Sequence, residues 1–324
     1  MRVLILLFAT FLLSALAAAT SATSASANGD SDTWAVIVNS SKFYLNYRHT
    51  ANAMAVYHAL RRLGLPDSRI ILMHADCSTC DPRYPFPGVT YTLPGVPLEN
   101  ERRQASLDSL PIEVDYRDKD VTAESLLRVL TGNTYGGSSN QVLASTNNSN
   151  VLLYLTGHGG DGFLKFHDQT ELMSSDLGSA VEYMYRAGRY KNLLIVLDTC
   201  QASTMYEDVD AGVGRWAGVG SSQRGKSSYA LNHDGRVGAF LVDEFTQHMS
   251  EWLRRYYTGG EGRQTVGDML AYVMRQPMSS DVQYDKSRAA GGEGVAMKSF
   301  FEGRGVVGSG WRAEEKAAWD TQLE

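Results

Sequence analysis

The chain is poor in cysteine, in proline and in positive charge. Its 324 residues include three cysteines and eight prolines, and its formal net charge is −6 at pH 7. Three cysteines are too few for a disulfide scaffold, and an odd count in a secreted chain leaves one thiol free or bridged to another molecule. The negative balance argues against nucleic acid as the main partner.

The sequence also lacks internal repeats, a phosphate-binding P-loop and a dinucleotide-binding fingerprint. No organic cofactor is therefore expected. Hydrophobic residues make up 43% of the chain and charged residues 20%, which is typical of a globular protein with an ordinary core. After the N-terminal leader, no segment approaches the ~18 apolar residues that a membrane-spanning helix needs.

Residues 1–27 have the pattern of a secretory signal peptide. Arg2 supplies a positive charge, residues 3–16 are mostly apolar, and small residues follow. An uncleaved membrane anchor is the alternative, but the apolar stretch is short for one. The mature protein is therefore expected in an oxidising lumen.

Two apolar runs end in residues that carry chemistry. Residues 193–197 are all apolar and lead to Cys200, and residues 151–155 lead to a glycine-rich turn around His158. Uninterrupted apolar runs of this length predict parallel strands buried on both faces, whose carboxyl ends meet at one edge of a sheet. Cys200 and His158 are therefore candidates for a nucleophile and its base.

The alternative for Cys200 alone is a small residue buried in the core. The glycines on both sides of His158 favour a functional site, because they leave room for a substrate that a histidine buried for packing would not need.

The rest of the chain alternates between strand and helix patterns. Residues 34–38 and 70–73 are predicted strands joined by a helix, and strand–helix–strand units of this kind form right-handed parallel crossovers. Further helices are predicted at residues 122–130, 176–186, 237–256 and 265–275. The fold class is therefore α/β with a mostly parallel sheet.

Four motifs occur together in one order. They are residues 46–49 (Asn-Tyr-Arg-His), 114–117 (Val-Asp-Tyr-Arg), 156–160 with 163–166, and 197–201 (Leu-Asp-Thr-Cys-Gln). As an ordered set they resemble the catalytic subunits of GPI-anchor transamidases, legumain-related cysteine peptidases of the caspase-like clan. The resemblance covers about residues 34–302 and implies a caspase-like fold with a mostly parallel six-stranded sheet between helices.

The resemblance also implies roles for particular residues. Cys200 is the nucleophile, His158 the base and Asn46 the group that orients the imidazole, although Asn46 by itself has the pattern of an exposed turn residue. The oxyanion hole is expected from the N–H groups of Gly159 and Cys200. The substrate is expected to lie along Ser221, Ser222 and Gln223.

Family members bind a structural calcium ion, and the resemblance maps its ligands to this chain. They are Asp67, the carbonyl of Ile70, Glu113 and Asp115. Ligands that offer only oxygen suit Ca²⁺. The alternative is that these are acidic residues of exposed loops.

A cysteine of the family forms a disulfide with a partner subunit, and it maps to Cys80. Cys77 leaves a local Cys77–Cys80 bond as a competing arrangement. The same C-x-x-C spacing also occurs in zinc and redox sites, but no second ligand pair follows nearby and a loop, not a helix, follows the second cysteine.

The function that the resemblance implies is transamidation in the lumen of the endoplasmic reticulum. The substrates are a proprotein with a C-terminal signal and a GPI lipid, and the partners are other subunits of a membrane-embedded complex. Many family members end in a transmembrane helix, whereas residues 303–324 form a polar tail, so membrane association is expected through the partners. The catalytic domain is predicted at residues 28–302. The alternatives are a legumain-like asparaginyl endopeptidase and an inactive scaffold subunit.

Overall fold

Three long apolar strands form the centre of a mostly parallel sheet. β1 (Asp32–Asn39), β6 (Ser149–Thr156) and β10 (Asn192–Asp198) lie side by side and run in the same direction. Nearly all of their residues are buried. Burial on both faces explains why apolar residues follow one another in these strands without alternation.

The computed structural model describes residues 32–98, 112–133, 142–255, 264–284 and 300. The predicted signal peptide and the polar tail lie outside the described residues. Five α-helices lie within these ranges: α1 (Tyr47–Arg62), α2 (Ala123–Thr131), α3 (Ser174–Arg186), α4 (Glu244–Arg255) and α5 (Val266–Val273). The remaining strands are β2 (Ile70–His74), β3 (Tyr91–Leu93), β4 (Val96–Pro97), β5 (Tyr116–Arg117), β7 (Gly159–Gly160), β8 (Phe163–Phe166), β9 (Thr170–Met173), β11 (Trp216–Gly220), β12 (Ala230–Asp234), β13 (Ala239–Asp243) and β14 (Gln283–Tyr284).

The main sheet has seven strands within the described part of the chain, in the order β14-β11-β10-β6-β1-β2-β5. All neighbours are parallel except β14, which runs antiparallel to β11. The prediction of a mostly parallel α/β sheet is confirmed, and the predicted number of six strands is too low. The two edge strands, β5 and β14, have two residues each, too few for a periodic pattern in the sequence.

Helices cover both faces of the sheet. Alternate residues of β1 enter opposite cores: Val36 and Val38 pack on one side, and Ala35 and Ile37 pack on the other. Helices α2 and α3 supply apolar side chains to the first core, and α1, α4 and α5 supply them to the second. None of the described helices is long and apolar enough to cross a membrane.

The ends of α2 follow from local side-chain chemistry. The Thr122 hydroxyl accepts the N–H of Ser125, and the Ser125 hydroxyl accepts the N–H of Thr122. This reciprocal capping begins the helix. Gly132 ends it in the left-handed conformation, with φ 69°. The helix predicted at residues 122–130 is confirmed.

The predicted helix over residues 237–256 is wrong in its first part. Residues 239–243 form strand β13, which pairs antiparallel with β12, and the helix begins at Glu244. The start of this strand alternates between buried Ala239, exposed Phe240 and buried Leu241, which is the period of a strand. Gly238, with φ 70°, forms the turn before it.

Candidate active site

The register of the sheet brings the His158 turn and the Cys200 turn to one edge. Thr156 of β6 pairs with Asp198 of β10, so His158 and Cys200 each follow the last paired residue by two positions. The two turns are in contact: a Cβ atom on Gly159 would lie 3.1 Å from the Cys200 carbonyl oxygen. Cys200 is half-buried and is the free cysteine of the chain.

His158 is oriented by an amide from a distant part of the sequence. Its Nε2 lies 2.9 Å from Oδ1 of Asn46, and the Asn46 Nδ2 group donates to the Lys42 carbonyl at 2.6 Å. Because the Asn46 nitrogen is used as that donor, its oxygen is the acceptor, so His158 carries its hydrogen on Nε2. Nδ1 is then the basic nitrogen.

The surroundings of His158 favour the neutral imidazole. Burial lowers the pKa of His158, and the charges of Arg48 and Lys165 lower it further, while Asp168 acts in the opposite direction. A neutral imidazole at neutral pH can accept a proton, which a general base must do.

Asn46 lies at the end of a single 3₁₀ turn, Tyr44–Asn46, directly before α1. Its side chain makes no capping bond to the helix, so it is available to His158. The preceding Phe43 has a positive φ of 78°, and its N–H donates to the Asp76 carboxylate at 2.7 Å. The short segment that carries Asn46 is therefore fixed by the Phe43–Asp76 bond on its N-terminal side and by helix α1 on its C-terminal side.

A family model for the peptidase C13 family matches residues 33–289. The chain belongs to the peptidase C13 family. GPI-anchor transamidases of Schizosaccharomyces pombe and Homo sapiens are 39% and 40% identical to it over 247 and 227 residues. These alignments cover 76% and 70% of this chain, and the chain spans 62% and 55% of the two relatives. Among solved structures, caspase-1 from Spodoptera frugiperda is similar over 80% of this chain and 88% of that one, with 12% identity and a TM-score of 0.47.

In this C13 chain, two serines of the predicted substrate strand hold the Cys200 turn. The Ser221 and Ser222 hydroxyls donate to the Thr199 carbonyl at 3.2 and 2.7 Å. Both serines are 0% exposed, and that the substrate lies along Ser221, Ser222 and Gln223 stays a prediction. They lie beneath the turn because β11 ends at the same edge as β10. Gln223 is half-buried at the surface.

The loop after these serines is tied to the residue that follows Cys200. Gln201 adopts a left-handed conformation with φ 53°, and its N–H donates to the Lys226 carbonyl at 2.9 Å. The Gly225 N–H donates to the Gln201 side-chain oxygen at 2.8 Å. Gln201 therefore joins the Cys200 turn to the loop at residues 223–226.

A buried acidic network adjoins the His158 turn, and sequence reasoning missed it. Asp243 accepts hydrogen bonds from Arg48 Nε at 3.1 Å and Asn52 Nδ2 at 2.6 Å. Its carboxylate also lies 3.7 Å from His49 Nε2. The His49 ring packs edge-on against the His158 ring, with 5.0 Å between centroids. The network therefore contacts the His158 imidazole through the His49 ring.

Asp198 is the second buried carboxyl of this network. It accepts the N–H and the hydroxyl of Thr246 at 3.2 and 2.5 Å, and the Ser228 hydroxyl at 2.8 Å. Burial raises the pKa of both carboxyls, and Asp198 contributes further to the pKa of Asp243, which rises to about 8. Asp198 was visible in the sequence beside Cys200, whereas Asp243 fell inside a predicted helix.

The acidic residues predicted to bind calcium lie away from this edge. The Leu72 N–H donates to the Asp115 carboxylate at 2.8 Å, and the Tyr57 hydroxyl donates to Asp67 at 2.5 Å. Burial raises the pKa of Asp115 to about 6, with added contributions from the charges of Glu113 and Asp67. The charges of Glu113 and Asp67 therefore act on the Asp115 carboxyl. Within the described ranges, no three His, Cys, Asp or Glu side chains form a ready-made metal cluster.

Cys80 is bonded to Cys77, which contradicts the prediction that Cys80 bridges to a partner. The turn Ser78–Cys80 closes with the Cys80 N–H donating to the Cys77 carbonyl at 2.9 Å. This brings the two Cα atoms to 5.2 Å, within the usual span of a disulfide. The local bond, which the sequence left open, is the one present.

Proposed function

We propose that this C13 protein is the catalytic subunit of a GPI-anchor transamidase. The observation that carries the proposal is the hydrogen bond between Asn46 and His158 at a turn that contacts Cys200. A nucleophile, a base and a group that orients the base form the arrangement of a covalent acyl-transfer enzyme. The relatives named GPI-anchor transamidase supply the substrate class.

In the first half of the reaction, Nδ1 of His158 takes the proton of the Cys200 thiol. The thiolate attacks the carbonyl of the residue to be anchored, and the N–H groups of Gly159 and Cys200 stabilise the resulting oxyanion. The C–N bond then breaks. The C-terminal signal leaves as an amine that receives the proton from His158, and a thioester remains on Cys200.

In the second half, the ethanolamine amine of the GPI lipid attacks the thioester. His158 accepts a proton from this amine, the C–S bond breaks, and the thiolate of Cys200 is released and protonated. The product is an amide between the protein and the lipid. If water attacks instead, the product is a free carboxylate, so the two outcomes differ only in the acceptor.

The proposed place of action is the lumen of the endoplasmic reticulum, within a complex of membrane-embedded subunits. Both substrates carry apolar segments that belong in a bilayer: the removed signal and the GPI lipid. Delivery of the amine by a membrane partner gives it a high effective concentration at the thioester, and positioning of this kind accelerates aminolysis over hydrolysis.

The proposal is tested by replacing the lipid amine with a small nucleophile. Membranes that contain the complex but lack GPI should convert a substrate proprotein to its hydrazide when hydrazine is added. Mass spectrometry of the new C-terminus detects the product. The product should be absent when Cys200 is replaced by alanine.

Two outcomes contradict the proposal. Efficient cleavage after asparagine by the purified chain at acid pH, with no hydrazide in membranes, indicates a legumain-like endopeptidase. Neither cleavage nor hydrazide, with the chain still assembled on its partners, indicates an inactive scaffold subunit.

We further propose that calcium binds at Asp67, Glu113 and Asp115, with the carbonyl of Ile70, and stabilises the fold. A cation that binds only the folded chain raises its stability by mass action. Adding Ca²⁺ should raise the melting temperature of the purified chain by a few degrees, and a chelator should reverse this. The same experiment on Asp115→Asn should show a smaller response. If neither Ca²⁺ nor the chelator changes the melting temperature of the wild type, the result contradicts the site.

A further inference from the structure

The Thr199 hydroxyl is buried and has no hydrogen-bond partner within the described part of the chain. The residue directly precedes Cys200 and is 2% exposed. A buried hydroxyl without a partner costs free energy, because the water that it leaves is not replaced. An arrangement of this kind beside a reacting atom calls for an explanation in terms of the reaction.

The backbone of Thr199 is fixed from the side of β11. Its N–H donates to Ser221 Oγ at 3.1 Å, and its carbonyl accepts the hydroxyls of Ser221 and Ser222. These bonds leave the side chain directed towards the other turn. Its oxygen occupies the space that a side chain at Gly159 would need, 2.5 Å from the ideal Cβ position.

Thr204, a neighbouring threonine, provides a contrast. Its hydroxyl donates to the Gln201 carbonyl at 2.7 Å and accepts the Gly162 N–H at 2.8 Å. That hydroxyl completes the local fold. The Thr199 hydroxyl makes no such bond, so local folding does not account for it.

We propose that Thr199 is a further catalytic residue for acyl transfer, whose hydroxyl donates to the oxyanion at the Gly159 turn. Its side chain sets the gap between the two turns. Its unpaired O–H can rotate towards the substrate oxygen, which gains negative charge beside the Gly159 and Cys200 N–H groups. A dipole that finds its partner only when the oxyanion forms stabilises the transition state more than the resting state, which is what accelerates a reaction.

This inference rests on the proposed function, and its test uses membranes containing the full complex. Thr199→Val keeps the branched shape but removes the hydroxyl, and Thr199→Ser keeps the hydroxyl. Hydrazide formation at saturating hydrazine should fall about 10²–10³-fold in Thr199→Val, the loss that follows removal of one oxyanion-hole donor. It should stay within about 3-fold of wild type in Thr199→Ser.

A second measurement separates the oxyanion from the nucleophile. Iodoacetamide alkylates Cys200 by attack on a tetrahedral carbon, so no oxyanion forms. The alkylation rate, followed by mass spectrometry of the Cys200 peptide, should be unchanged in Thr199→Val. Thr131→Val on the remote helix α2 is the matched control for exchanging a threonine, and it should leave both rates unchanged.

Wild-type turnover in Thr199→Val overturns the inference, and so does an equal loss in Thr199→Ser, because the loss then does not depend on whether the hydroxyl is present. If Thr199→Val does not assemble, Thr199→Ala and Thr199→Ser give the same comparison at smaller volume, and equal rates in that pair overturn the inference. Hydrazide absent from wild type contradicts the proposed function itself. Hydrazide present in wild type and unchanged in the valine variant contradicts only the role of Thr199.

Discussion

Cys200→Ala is expected to abolish acyl transfer, with a loss of at least about 10⁴-fold in the rate of hydrazide formation. The reason is that no other described thiol is available at this edge, since Cys77 and Cys80 are bonded to each other. His158→Ala should cause a loss of similar order. Because every proton transfer proposed for His158 depends on the covalent chemistry of Cys200, the double variant should be no slower than the slower single variant.

Both variants should keep the fold, which makes the loss interpretable. Cys200 is half-buried and packs at a surface turn, so removing its sulfur leaves no large cavity. Melting temperatures close to wild type and normal recovery with the partner subunits check this. Residual turnover in Cys200→Ala above the level of membranes without the chain contradicts the assignment of the nucleophile.

The central sheet could be predicted from the sequence because its signal is local. Residues 151–155 and 193–197 are apolar without interruption, and burial on both faces of a parallel sheet requires that pattern. The meeting of His158 and Cys200 then follows from strand direction alone. The same reasoning could not place Asn46, because its bond to His158 joins residues 112 positions apart.

The errors have physical causes that a single sequence does not display. Residues 239–243 pair with β12, and strand pairing with a distant segment overrides the helical pattern that continues from Glu244. The Cys77–Cys80 bond was one of two options because spacing alone does not decide the partner of a cysteine.

Asp243 should make the fold less stable as pH rises from 5 to 8. An aspartate in an unfolded chain has a pKa near ~3.9, whereas burial and Asp198 raise the pKa of Asp243 to about 8. Between these values the folded state holds a proton that the unfolded state has lost. Stability therefore falls through this interval and levels off above it.

The size of the effect is limited by the neighbours of Asp243. One fully protonated group contributes up to ~1.4 kcal/mol per pH unit, or ~4 kcal/mol from pH 5 to 8. Arg48 and Asn52 lower the pKa of Asp243 through their hydrogen bonds to the carboxylate, so about 2 kcal/mol is expected. Buried His49 and His74 and half-buried His158 have lowered pKa values and give slopes of the opposite sign. The informative quantity is therefore the difference in the free energy of unfolding between wild type and a variant of Asp243.

Asp243→Asn should be less stable than wild type at pH 5, and the difference should shrink by about 2 kcal/mol at pH 8, because the amide does not titrate. Denaturant unfolding of the purified chain at several pH values measures this. The control is Asp234→Asn, whose carboxyl is paired with Arg236 and has a pKa lowered to about 2. Its contribution is complete above pH ~4 and is lost only on further acidification, so its difference from wild type should stay constant from pH 5 to 8. A constant difference for Asp243→Asn as well would show that Asp243 is ionised throughout, held as a carboxylate by Arg48.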